Sequence, residues 1–122
     1  MAKKIMVIDD SASLREVIGI ALASAGYEVV QAENGQDALG KLDGCKISLV
    51  ICDVNMPQMD GITFVREIKK RPSHRFVPVV MLTTEASEAR KQEGQLAGAK
   101  AWVVKPFRPE QILQAVSRLV SA

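Results

Sequence analysis

The chain has 122 residues, 48% of them hydrophobic and 25% charged, with a formal net charge of +2. That length fits one domain, 1–122, able to bury a two- or three-layer core, and a small charge interleaved along the chain argues against nucleic-acid binding by this domain alone. No apolar run approaches the roughly 18 residues needed to span a bilayer, and the run in MAKKIMVIDD meets two acids with no small-residue cleavage site after it. A soluble, cytoplasmic protein without membrane contact is expected. Cys45 and Cys52 stand outside any CxxC pair or histidine cluster, which argues against a disulfide framework and a zinc site and leaves both as structural thiols.

The first predicted element is a strand, KIMVID, at 4–9. A helix follows, since Leu14, Val17, Ile18, Ala21 and Leu22 keep helical spacing, with Ser11 or Ser13 as N-cap and Gly26 just past the end. YEVVQA at 27–32 is shorter and more polar than the other strand candidates, as an edge strand would be. A helix over about 35–42 leads to ISLVIC at 47–52, an apolar run that ends against a lone aspartate, Asp53, before the turn at Met56-Pro57. A third helix over about 61–70 is stopped by Pro72, and VPVVML at 77–82 forms the next strand. A fourth helix over about 87–97 is closed by Gly98, AWVVK at 101–105 is the last strand, and a fifth helix runs over about 109–119. Apart from 27–32, the strand candidates are continuously apolar rather than alternating, the pattern of strands buried on both faces of a parallel sheet.

Strict alternation of five strands with five helices implies right-handed crossovers and an α/β doubly wound parallel sheet with helices on both faces; five strands are too few for an eight-stranded barrel. In such sheets the ligand site lies beyond the carboxyl ends of the strands. Those ends carry Asp9 and Asp10, Asp53, Thr83 and Thr84, and Lys105 followed by Pro106. Clustered carboxylates repel one another unless a cation offsets them, and oxygen donors without His or Cys suit Mg2+. With a metal and Lys105 in place, Asp53 reads as a nucleophile that forms an acyl phosphate, Lys105 neutralises charge on the phosphoryl oxygens, and the Thr83 hydroxyl bonds the new group. This explains a carboxylate at the tip of a buried strand, where an uncompensated charge costs several kcal/mol or more.

The stretches VIDDSASLRE, GYEVVQAENGQDAL, ICDVNMPQMDG, PVVMLTTE and AGAKAWVVKPF together resemble the receiver domains of two-component response regulators, the stand-alone chemotaxis regulators among them, over essentially the whole chain. The resemblance implies the flavodoxin-like strand order 2-1-3-4-5, where alternation alone yields only the class. It implies Asp53 as phosphoacceptor, Thr83 as switch hydroxyl and Lys105 as the lysine of the site. Asp10, Asp53 and the Asn55 backbone carbonyl would ligate Mg2+, with Asp9 acting through water, and the Lys105-Pro106 peptide would be cis. Trp102 stands where the family usually has Tyr or Phe as a rotating aromatic switch, and Thr84 where a smaller residue is usual. Asn55 and Glu85, together with Thr84, would modulate hydrolysis, with a short-lived acyl phosphate expected. His74, in RPSHRF, is expected in a surface loop without a catalytic or metal role, Met56 and Met59 to pack locally, and Phe107 to anchor the last helix.

The function implied is a phosphoacceptor that catalyses only its own phosphorylation and dephosphorylation. A histidine kinase or small phosphodonor would supply the phosphoryl group, a phosphatase would be a further partner, and the surface of the fourth helix, fifth strand and fifth helix would switch. Because the chain stops after its last helix, a monomeric stand-alone regulator acting on the flagellar motor switch in chemotaxis is expected. A phosphorelay intermediate, a phosphate sink or a fragment of a larger regulator are the alternatives. A flavin-binding electron carrier would need a Gly, Ser and Thr-rich phosphate loop where this chain has acids, and a haloacid-dehalogenase-like phosphohydrolase would need a DxD pattern where Asn55 stands.

Overall fold

Five parallel strands pair in the order β2-β1-β3-β4-β5 in a computed structural model that describes residues 3–54, 59–83 and 88–120. The elements are β1 (Lys4–Ile8), α1 (Ala12–Ser24), β2 (Glu28–Ala32), α2 (Gly35–Leu42), β3 (Leu49–Asp53), α3 (Gly61–Lys69), β4 (Val79–Thr83), α4 (Glu88–Ala97), β5 (Ala101–Val104) and α5 (Pro109–Leu119). The alternation expected from the sequence is observed, and so is the strand order. Strand ends shift by a residue or two in ways that matter for the tips. Asp53 and Thr83 are the last ladder residues of their strands, paired with Leu82 and Val104, whereas Asp9 and Lys105 lie one residue past theirs.

Side chains along each strand alternate between two cores. Met6, Ile8, Val50, Cys52, Val79 and Met81 face Ala38 and Leu42 of α2 and Ile62, Phe64, Val65 and Ile68 of α3. Ile5, Val7, Leu49, Ile51, Val80 and Leu82 face Ile18 and Leu22 of α1 and Ile112 and Val116 of α5. Each fully buried side chain of this size contributes about 1.5–3 kcal/mol, and both faces of β1, β3 and β4 are buried, which accounts for their unbroken apolar sequences. β2 is an edge strand as its polarity suggested. The other edge is β5, whose apolar run AWVV is only partly buried and leaves Val104 exposed; apolarity there does not mark a central strand.

Helix starts follow capping chemistry. The Ser11 hydroxyl accepts from the Leu14 N–H (3.3 Å), the Asn34 amide oxygen from the Asp37 N–H (2.8 Å) and the Asp60 carboxylate from the Thr63 N–H (2.7 Å). Of the two serines open at the first helix, Ser11 is the cap. Gly26 and Gly98 close α1 and α4 with φ of 95° and 118°, values that favour glycine. His74 lies in a surface loop as expected, and its imidazole is buried there, with Nε2 donating to the Cys45 carbonyl (2.9 Å) and Nδ1 sharing a hydrogen bond with the Ser73 hydroxyl (2.8 Å). It joins the α2–β3 connection to the α3–β4 connection. Phe107 packs against the core under α5, and Met59 against the α2 and α3 core.

Candidate functional site

β1, β3, β4 and β5 all end at one edge of the sheet, so residues far apart in the chain meet there. Asp9, Asp53 and Thr83 are buried at 0%, 4% and 0% exposure, and Asp10 is exposed at the mouth. One carboxylate oxygen from each of Asp9, Asp10 and Asp53 lies within 4.8 Å of the other two. The Lys105 ammonium reaches between the two buried acids, 3.1 Å from Asp9 Oδ2 and 3.4 Å from Asp53 Oδ2. The Lys105-Pro106 peptide is cis, and the Lys105 N–H donates to the Thr83 carbonyl at 2.7 Å, which ties the β5 tip to the β4 tip.

The acids are held from the backbone side as well. Asp9 Oδ1 accepts from the Ser11 N–H at 2.9 Å, and the Arg15 guanidinium donates to the Asp9 carbonyl and, through Nε, to Gln31 Oε1 at 3.2 Å. Arg15 therefore spans α1, the β1 tip and β2. Behind Asp53, the Gly61 N–H donates to the Val54 carbonyl at 2.9 Å, and the first turn of α3 lies so close that a Cβ on Gly61 would meet the Asp53 carbonyl, Met81 Cε at 2.8 Å and Val54 Cα at 2.9 Å. The Cys52 thiol is fully buried one residue from the site; burial first, then the negative charges of Asp53, Asp9 and Asp60, push it well above the ordinary thiol range, so it stays protonated. Neither Arg15 nor Gly61 was singled out from the sequence. The legible signals were the arginine six residues past Asp9 and the glycine directly after a capping aspartate.

Three carboxylates against one ammonium leave two negative charges in a mostly buried cleft, the donor set of a hard divalent cation. The same arrangement sets the Asp53 carboxylate beside the Lys105 ammonium, with Thr83 at the end of the adjoining strand, a set compatible with acyl-phosphate chemistry. Trp102 is partly buried against the α2 and α3 core. It pairs in register with Met81, two positions before Thr83, so by strand alternation it shares a sheet face with Thr83. Asn55, Met56, Thr84 and Glu85 lie outside the described residues.

The description "Response regulator receiver domain" fits residues 5–117. The chain is 35% identical to chemotaxis protein CheY of Bacillus subtilis, over 99% of this chain and 100% of that protein. It is 36% identical to the phosphate regulon transcriptional regulatory protein PhoB of Pseudomonas aeruginosa, over 97% of this chain but 53% of that protein, so it spans about half the length of that relative. The solved structure of Vibrio cholerae chemotaxis protein CheY4 superposes with a TM-score of 0.94 at 42% identity, covering 98% of this chain and 100% of that one. With a family match across nearly all of its length, and the acids, hydroxyl and lysine gathered at one sheet edge, the chain belongs to the response regulator receiver domain family.

Proposed function

We propose that Asp53 is the phosphoacceptor of a two-component response regulator, and that residues 1–122 act as one receiver domain in the cytoplasm. The observation that carries this reading is the placement of the buried Asp53 carboxylate 3.4 Å from the Lys105 ammonium and within 4.8 Å of two further carboxylates. Asp9, Asp10 and Asp53 would hold Mg2+, together with the Asn55 carbonyl; when bound, the ion offsets charge on the phosphoryl oxygens and on the acids themselves. An Asp53 carboxylate oxygen attacks the phosphorus of a histidine kinase's phosphohistidine or of a small donor such as phosphoramidate. The P–N bond breaks, its electron pair leaves with the nitrogen, and an acyl phosphate forms. Lys105 neutralises one phosphoryl oxygen and the Thr83 hydroxyl donates to another, while Asn55, Thr84 and Glu85 would set the rate at which water removes the group.

Thr83, drawn toward the phosphoryl group, would vacate space that Trp102 enters, and the α4–β5–α5 face would change shape for a partner. Full-length similarity to chemotaxis proteins supports a role in chemotaxis with the flagellar motor switch as that partner, and a phosphatase as a further one. The match to only half of PhoB favours a second reading, in which this receiver controls an output domain elsewhere. The test is incubation with phosphoramidate and Mg2+ followed by intact and peptide mass spectrometry. One added phosphoryl group on Asp53, absent without Mg2+ and in Asp53→Asn, is expected; label on another residue, or label indifferent to Mg2+, overturns the assignment. Co-purification with a motor-switch protein, a phosphotransfer protein or a covalently attached output domain separates the cellular roles.

A further inference from the structure

The opposite edge of the sheet, where the strands begin, carries a second feature that phosphoryl chemistry does not use. The α3–β4 connection follows Lys69 with Lys70, Arg71, Pro72, Ser73, His74, Arg75 and Phe76. Phe76 is 83% exposed, and the Arg75 guanidinium lies over its ring at 4.8 Å from the centroid. This tip is braced. Arg71 pairs with Asp43 at 2.6 Å, buried His74 bonds the Cys45 carbonyl, and the Lys69 ammonium donates to the carbonyls of Arg75 (2.9 Å) and Val77 (3.2 Å). Beside it runs a groove of about 340 Å³ lined by Lys46, Ile47, Ser73 and His74. Lys46, Lys69, Lys70, Arg71 and Arg75 set against Asp43 and Glu67 make this corner +3, more positive than the whole chain at +2.

An exposed aromatic ring held under an arginine, on a loop pinned by side-chain hydrogen bonds, is preorganised to bind; aromatic and arginine anchors dominate protein interfaces, and bracing lowers the ordering cost of association. We propose that this tip docks an acidic segment of a partner protein, with Phe76 as anchor, whatever the phosphorylation state of Asp53. Asp43 and Glu67 are offset by Arg71 and Lys70, so the net positive charge of the corner favours an acidic ligand. A protein segment is favoured over a bilayer or a nucleic acid because one exposed ring gives little apolar area for membrane anchoring and a corner of +3 gives few cations for a phosphate backbone, whereas a protein also offers a pocket for the ring. Independence from Asp53 is expected from placement: the five-residue strands β3 and β4 separate the two edges by roughly 15 Å, and the tip lies outside the α4–β5–α5 face proposed to respond.

The test uses the full chain and a fluorescein-labelled random copolymer of glutamate and tyrosine, with phosphatidylglycerol vesicles and single-stranded DNA as comparison ligands. Saturable copolymer binding is expected, weakened about tenfold by Arg75→Glu and by Phe76→Ser and less by Arg75→Gln. Amide shift changes should concentrate on 44–47 and 70–77, and Mg2+ with beryllofluoride should leave the affinity unchanged. Both side chains are exposed, so the variants should keep the wild-type thermal midpoint. Binding that survives these substitutions, shifts centred elsewhere, tighter binding to vesicles or DNA than to copolymer, or an affinity that beryllofluoride alters would overturn the proposal.

Discussion

Gly61 controls how closely α3 can approach the residue proposed to carry the phosphoryl group. A methyl group there would collide with backbone at Asp53 and Val54 as well as with the more yielding Met81 side chain. Gly61→Ala should cost about 1–3 kcal/mol in urea denaturation and slow Asp53 labelling, because the Asp53 backbone must move to relieve the clash; wild-type stability in that variant would refute the close-approach account. Lys105 makes a prediction with two readouts. Its removal takes the cleft from two negative charges to three, so Lys105→Ala should bind Mg2+ more tightly by calorimetry while phosphoryl transfer falls by about 10²–10³. Parallel losses in both would mean that Lys105 supports the fold of the site rather than the chemistry. The identity of Lys105 could be read from a strand tip. The contacts of Arg15 and Gly61 could not, since each depends on how close two segments come, and residue type alone does not state a distance.

At the scale of elements, α2 shows how local chemistry becomes pH dependence. The Asp37 carboxylate accepts from the Glu33 N–H at 3.1 Å and pairs with Lys41 at 3.2 Å; chiefly the backbone hydrogen bond, with help from Lys41, holds its carboxyl below the ordinary range. A folded pKa below the unfolded value contributes stability above the unfolded pKa, about 3.9, and loses it as pH falls through the folded value. Asp37 faces solvent, so the contribution should stay under about 1 kcal/mol. Thermal midpoints measured down the acid limb should therefore converge for wild type and Asp37→Asn, the variant having lost at higher pH what the wild type loses only in acid; a constant offset to the lowest pH would exclude Asp37 as the cause. The helices also differ in how firmly they are held. α3 buries Ile62, Phe64, Val65 and Ile68, whereas α4, EARKQEGQLA, leaves Leu96 89% exposed. In the proposed function α4 is the helix expected to respond to the local event at Asp53.

For the whole molecule, Thr83, Met81 and Trp102 share one sheet face, and in the proposed function that face would carry the response from the acidic cleft to the α4–β5–α5 surface. Mg2+ with beryllofluoride should change the fluorescence of Trp102, the one tryptophan in the chain, and shift the amides of α4 and β5. Asp53→Asn should abolish both responses. Unchanged fluorescence and unchanged α4 amides in the wild type would show a static core tryptophan. The sequence by itself determined the alternation of elements, the α/β class and the side chains at the strand tips, because period, capping and apolar runs are properties of neighbouring residues. The strand order was legible only through resemblance. Tertiary structure alone decided that β5 is a half-exposed edge, that His74 is a buried brace, and that Lys105 sits 3.1 Å from Asp9, 96 positions earlier in the chain. Such contacts join segments that the sheet brings together, so their distances are set by packing rather than by any local stretch of sequence.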